Sequence, residues 1–148
     1  MIRAYRQDDY EAVVALVTSV LAEYGFSAHI GGVQSDLAAI AEGYSRGGFW
    51  VAELEGAVVG TVAIRPKQDK TCELKRLYVS KTARGTGIGR ALYAHAETFA
   101  RSAGYDRIWL DSSRKFVEAK KLYEKNGFVL LEELANDWCD NVYEKQLV

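Results

Sequence analysis

The stretch "CELKRLYVSKTARGTGIGRALYAHAETFA" (72–100) constrains this chain more than any other. It reads as a strand over 72–79, a glycine turn, and a helix that runs to Gly104. Apolar and polar positions alternate from Leu74 to Tyr78, the period of a half-buried strand. Ile88, Leu92, Phe99 and Ala103 mark the apolar side of the helix. Between the two elements, Gly85, Gly87 and Gly89 occupy alternate positions. Glycine loses more backbone entropy on ordering than any other residue, so three of them at the mouth of a helix need a reason. Either the turn is tight, or something comes close to the main chain there.

The flanking segments supply more elements of both kinds. "IRAY" (2–5) reads as a strand, and Val13, Leu16, Val17, Val20, Leu21 and Tyr24 form a helical stripe. After a glycine-rich break at 25–34, Ser35 can cap a second helix with Leu37, Ile40, Ala41 and Tyr44 on one face. "FWVAEL" (49–54) and "AVVGTVAI" (57–64) make a hairpin about Glu55-Gly56, closed by Pro66, the only proline. "RIWLD" (107–111) is a strand, and 113–125 a helix carrying Phe116, Ala119, Leu122 and Tyr123, with Gly127 as its C-terminal cap. "FVLLEEL" (128–134) and "VYEKQL" (142–147) are strands separated by a loop containing Trp138. The order β-α-α-β-β-β-α-β-α-β-β predicts an α/β sandwich around one mixed sheet. With 148 residues, no repeat and no linker, residues 1–148 read as a single domain.

Composition excludes several classes. The N-terminus "MIRAYRQDDY" is charged where a signal peptide needs an apolar run, and no apolar stretch approaches the ~20 residues of a membrane span. Cys72 and Cys139 lie far apart without metal or redox spacing, so a reduced, cytoplasmic protein is expected. The net charge of -1 gives no global attraction to nucleic acid or to a membrane surface. No metal is expected: His95 lies mid-helix without a second ligand at metal spacing. His29 falls in the 25–34 break. Arg114, Lys115, Lys120, Lys121 and Lys125 read as a solvated helix face with partial use for phosphates.

Three ligands compete for the glycine turn. A Walker P-loop ends in Gly-Lys-Ser/Thr, whereas Gly89 is followed by Arg90-Ala91. A dinucleotide fingerprint needs glycine at its sixth position, which here is Arg90. A phosphate cradle at a helix N-terminus needs only bare amides and the helix dipole, and Arg84 and Arg90 flank the turn. Against all three stands a glycine turn chosen for shape alone.

The string "ELKRLYVSKTARGTGIGRAL" resembles the cofactor motif of the GNAT superfamily, the acyl-CoA-dependent N-acetyltransferases. That motif, Gln/Arg-x-x-Gly-x-Gly/Ala after a central strand, is matched by Arg84-Gly85-Thr86-Gly87-Ile88-Gly89. A second signature, Ala-x-x-Leu-Tyr-x-x-x-Gly-Phe, appears as Ala119 to Phe128. The resemblance covers essentially the whole chain and implies a GNAT-like fold: one mostly antiparallel sheet of about seven strands with helices on both faces.

The resemblance also implies roles. Acetyl-CoA would be the co-substrate, its pyrophosphate held by Arg84, Gly85, Thr86, Gly87, Ile88, Gly89 and Arg90. Leu77, Tyr78 and Val79 would pair with the pantetheine arm like an added strand, and one of their N–H groups would polarise the thioester carbonyl. Ser112, Phe116, Ala119 and Tyr123 would complete the cofactor contacts. Phe116 departs from the family, which often has asparagine there, so that hydrogen bond to the pantetheine is either missing or supplied by Ser112 or Ser113. Tyr123 is implied as the group that protonates or hydrogen-bonds the leaving thiolate. A lysine-like amine with pKa ~10.4 is neutral in only about one molecule per 2,500 at pH 7, a handicap of about 4.6 kcal/mol. Amine deprotonation therefore has the stronger claim on a base, and Glu73 is the candidate, acting through water. It stands eleven residues before Arg84, the spacing found in histone-acetyltransferase members, although pairing with Lys75 or Arg65 is its structural alternative.

The expected acceptor is a primary amine on a small molecule or peptide, in a pocket formed by 24–34, residues near Trp50, and the loop 135–141. Asp137 and Asp140 would attract a cationic amine. A non-catalytic acyl-CoA-binding regulatory module and a nicotinamide oxidoreductase are the competing classes. Many members of the superfamily dimerise through sheet edges, so a homodimer joined at Trp138 and the last strand stands beside a monomer.

Overall fold

The computed structural model describes residues 1–27, 35–133 and 141–148. Its strands are β1 (Ile2–Ala4), β2 (Gly48–Leu54), β3 (Ala57–Gln68), β4 (Thr71–Val79), β5 (Arg107–Ser112), β6 (Val129–Glu133) and β7 (Asn141–Gln146). They form one sheet in the order β1-β2-β3-β4-β5-β7-β6. Among the described pairs only β4 and β5 run parallel. The helices are α1 (Tyr10–Glu23), α2 (Ile40–Gly43), α3 (Ile88–Ser102) and α4 (Val117–Lys125). This is the mixed, mostly antiparallel sheet with helices on both faces that the sequence predicts.

Each face of the sheet has its own core. Val13, Val17 and Leu21 of α1 pack with Leu37, Ile40 and Tyr44 against Phe49, Val51 and Ala63. On the other face, Leu92, Tyr93, Ala96 and Ala100 of α3 join Tyr123 of α4 over Val62, Ile64, Leu74, Ile108 and Leu110. Burying each of the valine, leucine, isoleucine and phenylalanine side chains is worth about 1.5–3 kcal/mol. These clusters fix the two layers, and hence which strand edges are left open between them.

Several local expectations change. The second helix is mainly a 3-10 turn, Ser35–Ala39, followed by the four residues of α2. Leu37, Ile40 and Tyr44 are buried as expected, but Ala41 is exposed. The side chain of Ser35, expected to cap this helix, lies outside the described residues. In α3 the buried stripe is Leu92, Tyr93, Ala96 and Ala100, while Ala103 is exposed. Helix α4 begins at Val117 rather than 113, because Ser113 to Phe116 form a turn closed by the Phe116 N–H donating to the Ser113 carbonyl at 3.1 Å. Pro66 does not end β3, which continues to Gln68 with Pro66 in register with Cys72. The β2 ladder stops at Ile64, so the donor that proline lacks falls on an edge without a strand partner.

Strand β4 is also irregular. Its register with β3 shifts by one between Thr61↔Tyr78 and Ala63↔Lys75, so Val62 opposes both Arg76 and Leu77. Arg76 sits at this bulge with φ +58°, a left-handed conformation costly for a residue with a Cβ. The bulge exchanges the two faces of the strand. Leu74 and Leu77 both pack on the α3 side, and Tyr78 turns to the α1 side. The simple alternation expected from Leu74 to Tyr78 is therefore broken at Arg76.

Candidate active site

Strands β4 and β5 pair only from Thr71↔Arg107 to Glu73↔Trp109. Beyond that point β5 continues along β7 to Ser112↔Asn141. The β4 edge from Leu74 to Val79 is thus left without a β5 partner. A cleft of about 370 Å³ opens along this edge, walled by β4, the glycine turn, the start of α3, α4 and the end of α1.

Two of the three glycines of the turn are required by its backbone. Gly85 and Gly87 have φ of +79° and +87°, which a side chain would strain. Gly89 differs. Its φ is not positive, and an added Cβ would meet only Val79 Cγ2 at 3.5 Å, so neither conformation nor packing demands glycine. From Gly85 to Arg90 no main-chain N–H has an acceptor among the described residues, and no side chain caps α3. Six adjacent amides at a positively polarised helix end form a cradle suited to a diphosphate. Arg84 braces it, donating from Nε to the Val79 carbonyl at 3.1 Å and from Nη1 to Glu23 at 2.6 Å.

Of the residues the sequence assigns to the cofactor, Leu77, Tyr78, Val79, Arg84, Gly85, Gly87, Ile88, Gly89, Arg90, Ser112, Phe116, Ala119 and Tyr123 all border the cleft. Thr86 does not; its hydroxyl donates back to the Ala83 carbonyl at 2.5 Å. Tyr123 is buried between Phe128 and Tyr143, and its hydroxyl has no hydrogen-bond partner among the described residues. Burial, helped by Tyr78, Tyr143 and Asp111, pushes this phenol above its ordinary value, so it stays protonated and able to donate. Phe116 stands edge-on to Tyr24 at 4.8 Å and near Phe26 and Tyr78, making an aromatic wall where the family often has an amide side chain.

Glu73 is buried just before the strands separate and does not line the cleft. Its carboxylate accepts from Arg65 Nε at 3.0 Å and lies 3.9 Å from Lys75 Nζ, so both ion-pair partners named as its structural alternative are engaged. Lys75 itself reaches the cleft wall. Trp50, expected near the acceptor, instead packs on the α3 face against Phe99 and His95 at 4.9 and 5.2 Å. His29, Asp137, Trp138, Cys139 and Asp140 lie outside the described residues. Tyr24, from the 24–34 segment expected beside the acceptor, borders the cleft, whereas Val20 and Leu21 are new to its wall, because an apolar helical stripe reads as core until a cleft is seen beside it. Burial pushes the Cys72 thiol up to about 12, leaving it no nucleophilic character at neutral pH.

Comparison with known proteins identifies the family of the chain. The model of the acetyltransferase (GNAT) family matches residues 13–128, from α1 through the glycine turn to Phe128. The chain belongs to this family. As a GNAT acetyltransferase it is 34% identical over 135 residues to the uncharacterized N-acetyltransferase YjgM of Escherichia coli, covering 86% of this chain and 81% of that protein. It is 43% identical over 104 residues to mouse N-acetyltransferase 8, covering 65% of this chain but 46% of that longer protein. A GNAT acetyltransferase from Staphylococcus aureus Mu50 superposes with TM-score 0.93 at 24% identity, over 100% of this chain and 99% of that one. The Salmonella typhimurium protein yncA, solved with its cofactor acetyl-CoA, superposes with TM-score 0.79 at 18% identity, over 100% and 94%. No helix among the described residues is long and apolar enough to cross a membrane.

Proposed function

We propose that this GNAT member transfers an acetyl group from acetyl-CoA directly to a primary amine of a small molecule or peptide, in a ternary complex. The observation that carries the reading is the run of unsatisfied amides from Gly85 to Arg90 beside the open edge of β4. Acetyl-CoA supplies a thioester-activated acetyl group. The amides of the glycine turn and the Arg90 side chain hold its diphosphate, each charge-assisted hydrogen bond being worth about 1.5–3 kcal/mol. Leu77, Tyr78 and Val79 offer main-chain donors and acceptors to the pantetheine arm, and one N–H polarises the thioester carbonyl. Tyr123 donates its hydroxyl hydrogen toward the leaving sulfur. Glu73 serves the amine as base through water, from a position one residue before the open edge. The names of the relatives support the reaction class, and the acetyl-CoA found in the Salmonella protein supports the donor.

The test is thiol release from acetyl-CoA across a panel of primary amines, with amine-dependent turnover expected. Tyr123→Phe should lower kcat with little change in KM for acetyl-CoA, and Glu73→Gln should slow the reaction most at low pH. Tight CoA binding without turnover on any amine would leave a regulatory acyl-CoA-binding module instead.

A further inference from the structure

Strand β4 bulges at Arg76, three residues past its last pair with β5, and three side chains from elsewhere converge on that bulge. The Arg76 guanidinium donates from Nε to Asp36 Oδ2 at 2.9 Å and from Nη2 to Asp36 Oδ1. Tyr44, at the end of α2, donates its hydroxyl to the same carboxylate. The Arg76 and Asp36 side chains are only 5% and 8% exposed, so solvent does not screen the pair. On the other side, the fully buried Thr61 hydroxyl donates to the Arg76 carbonyl at 2.6 Å. A left-handed arginine is thereby gripped at its side chain by the 3-10 turn and α2, and at its main chain by β3. Backbone strain of this kind persists where surrounding contacts over-determine it.

The direction of the strand beyond the bulge depends on this grip. With the extra residue in place, Leu77 and Val79 pack on the α3 core and Tyr78 turns toward Phe116. A strand of even pitch would exchange those faces, and the N–H groups of Leu77 and Val79 would turn away from the cleft with them. We propose that Asp36 and Tyr44, acting through Arg76, together with Thr61, are positioning residues that fix the bulge and so aim the main-chain donors of Leu77 and Val79 into the cleft, while that of Tyr78 between them faces β3. None of the four is required to touch the reacting atoms. The inference deepens the acetyltransferase reading and rests on it.

The decisive experiment compares wild type with Asp36→Asn, Tyr44→Phe and Thr61→Val in two measurements. In the first, 15N–1H amide spectra of the unliganded proteins are recorded. The resonances of Leu77, Tyr78 and Val79 should move in Asp36→Asn and Thr61→Val, while those of Gly85 to Gly89 stay in place. In the second, kcat should fall about tenfold or more in both variants, with KM for acetyl-CoA within about threefold, and less in Tyr44→Phe. The double variant Asp36→Asn/Thr61→Val should lose less than the product of the single losses, because both act on one bulge. Unmoved Leu77–Val79 resonances, or unchanged kcat in a folded variant, would overturn the proposal. Should Asp36→Asn not fold, Thr61→Val and Tyr44→Phe decide, since each loses a hydroxyl with little change of shape. Failure of the acetyltransferase reading looks different: CoA would leave the wild-type Gly85–Gly89 resonances untouched.

Discussion

Gly89 carries the plainest statement of ligand at the residue scale. Gly87 is glycine because its φ demands it; Gly89 has no such excuse. Gly89→Ala should therefore fold with an unchanged or slightly raised Tm, yet bind CoA at least about tenfold more weakly, as calorimetry would show. Gly87→Ala should lose both, with about 1–2 kcal/mol of stability going to strain at φ +87°. Equal CoA affinity in Gly89→Ala and wild type would mean that the cradle does not hold the diphosphate. The glycine spacing was readable from the sequence because it is local. The partnering of Glu73 was not readable, because Arg65 comes from the neighbouring strand and both pairings were open until the register was known.

Element by element, β4 matters most. The string from Leu74 to Tyr78 never declared its bulge, since Arg76 is an unusual residue for a left-handed position and its partner Asp36 lies forty residues away. That pair also gives a pH signature. Burial alone would raise the Asp36 carboxyl, but the Arg76 guanidinium and the Tyr44 hydroxyl outweigh it and hold the group below the usual carboxylate range. A carboxyl depressed in the folded state contributes stability above its unfolded value of about 3.9, and that contribution is lost as pH falls through the lower folded value. Wild type should thus lose stability below about pH 4 more steeply than Asp36→Asn in urea unfolding at a series of pH values. Asp9, held low by Arg3, titrates in both proteins and cancels in the difference. At neutral pH, Asp36→Asn should cost up to about 3–5 kcal/mol, because it leaves Arg76 buried without its counter-ion. Parallel pH curves would remove Asp36 from that account.

At the scale of the whole molecule, two cores on opposite faces hold β4 and β5 together at one end and let them part at the other. A ligand filling that gap ties together α1, α3, α4 and β4, so binding should stabilise the entire fold. CoA at about 100 times its Kd should add about 2.7 kcal/mol and raise Tm by about 5–10 °C, while NAD(P) should have no effect. Stabilisation by the nicotinamide nucleotide and none by CoA would return the chain to the oxidoreductase class.

By itself the sequence determined the order of elements, the two helical core stripes and the glycine turn, because each depends on residues only a few positions apart. It also carried the two motifs that resemble the acetyltransferase superfamily, which the comparison with known proteins then bore out. Tertiary structure alone decided the bulge at Arg76, the ion pairing of Glu73, the burial of Trp50 under α3 and the aromatic wall at Phe116. Each of those turns on which distant side chain lies across a strand or a layer, and pairings across strands and layers leave no period along the chain.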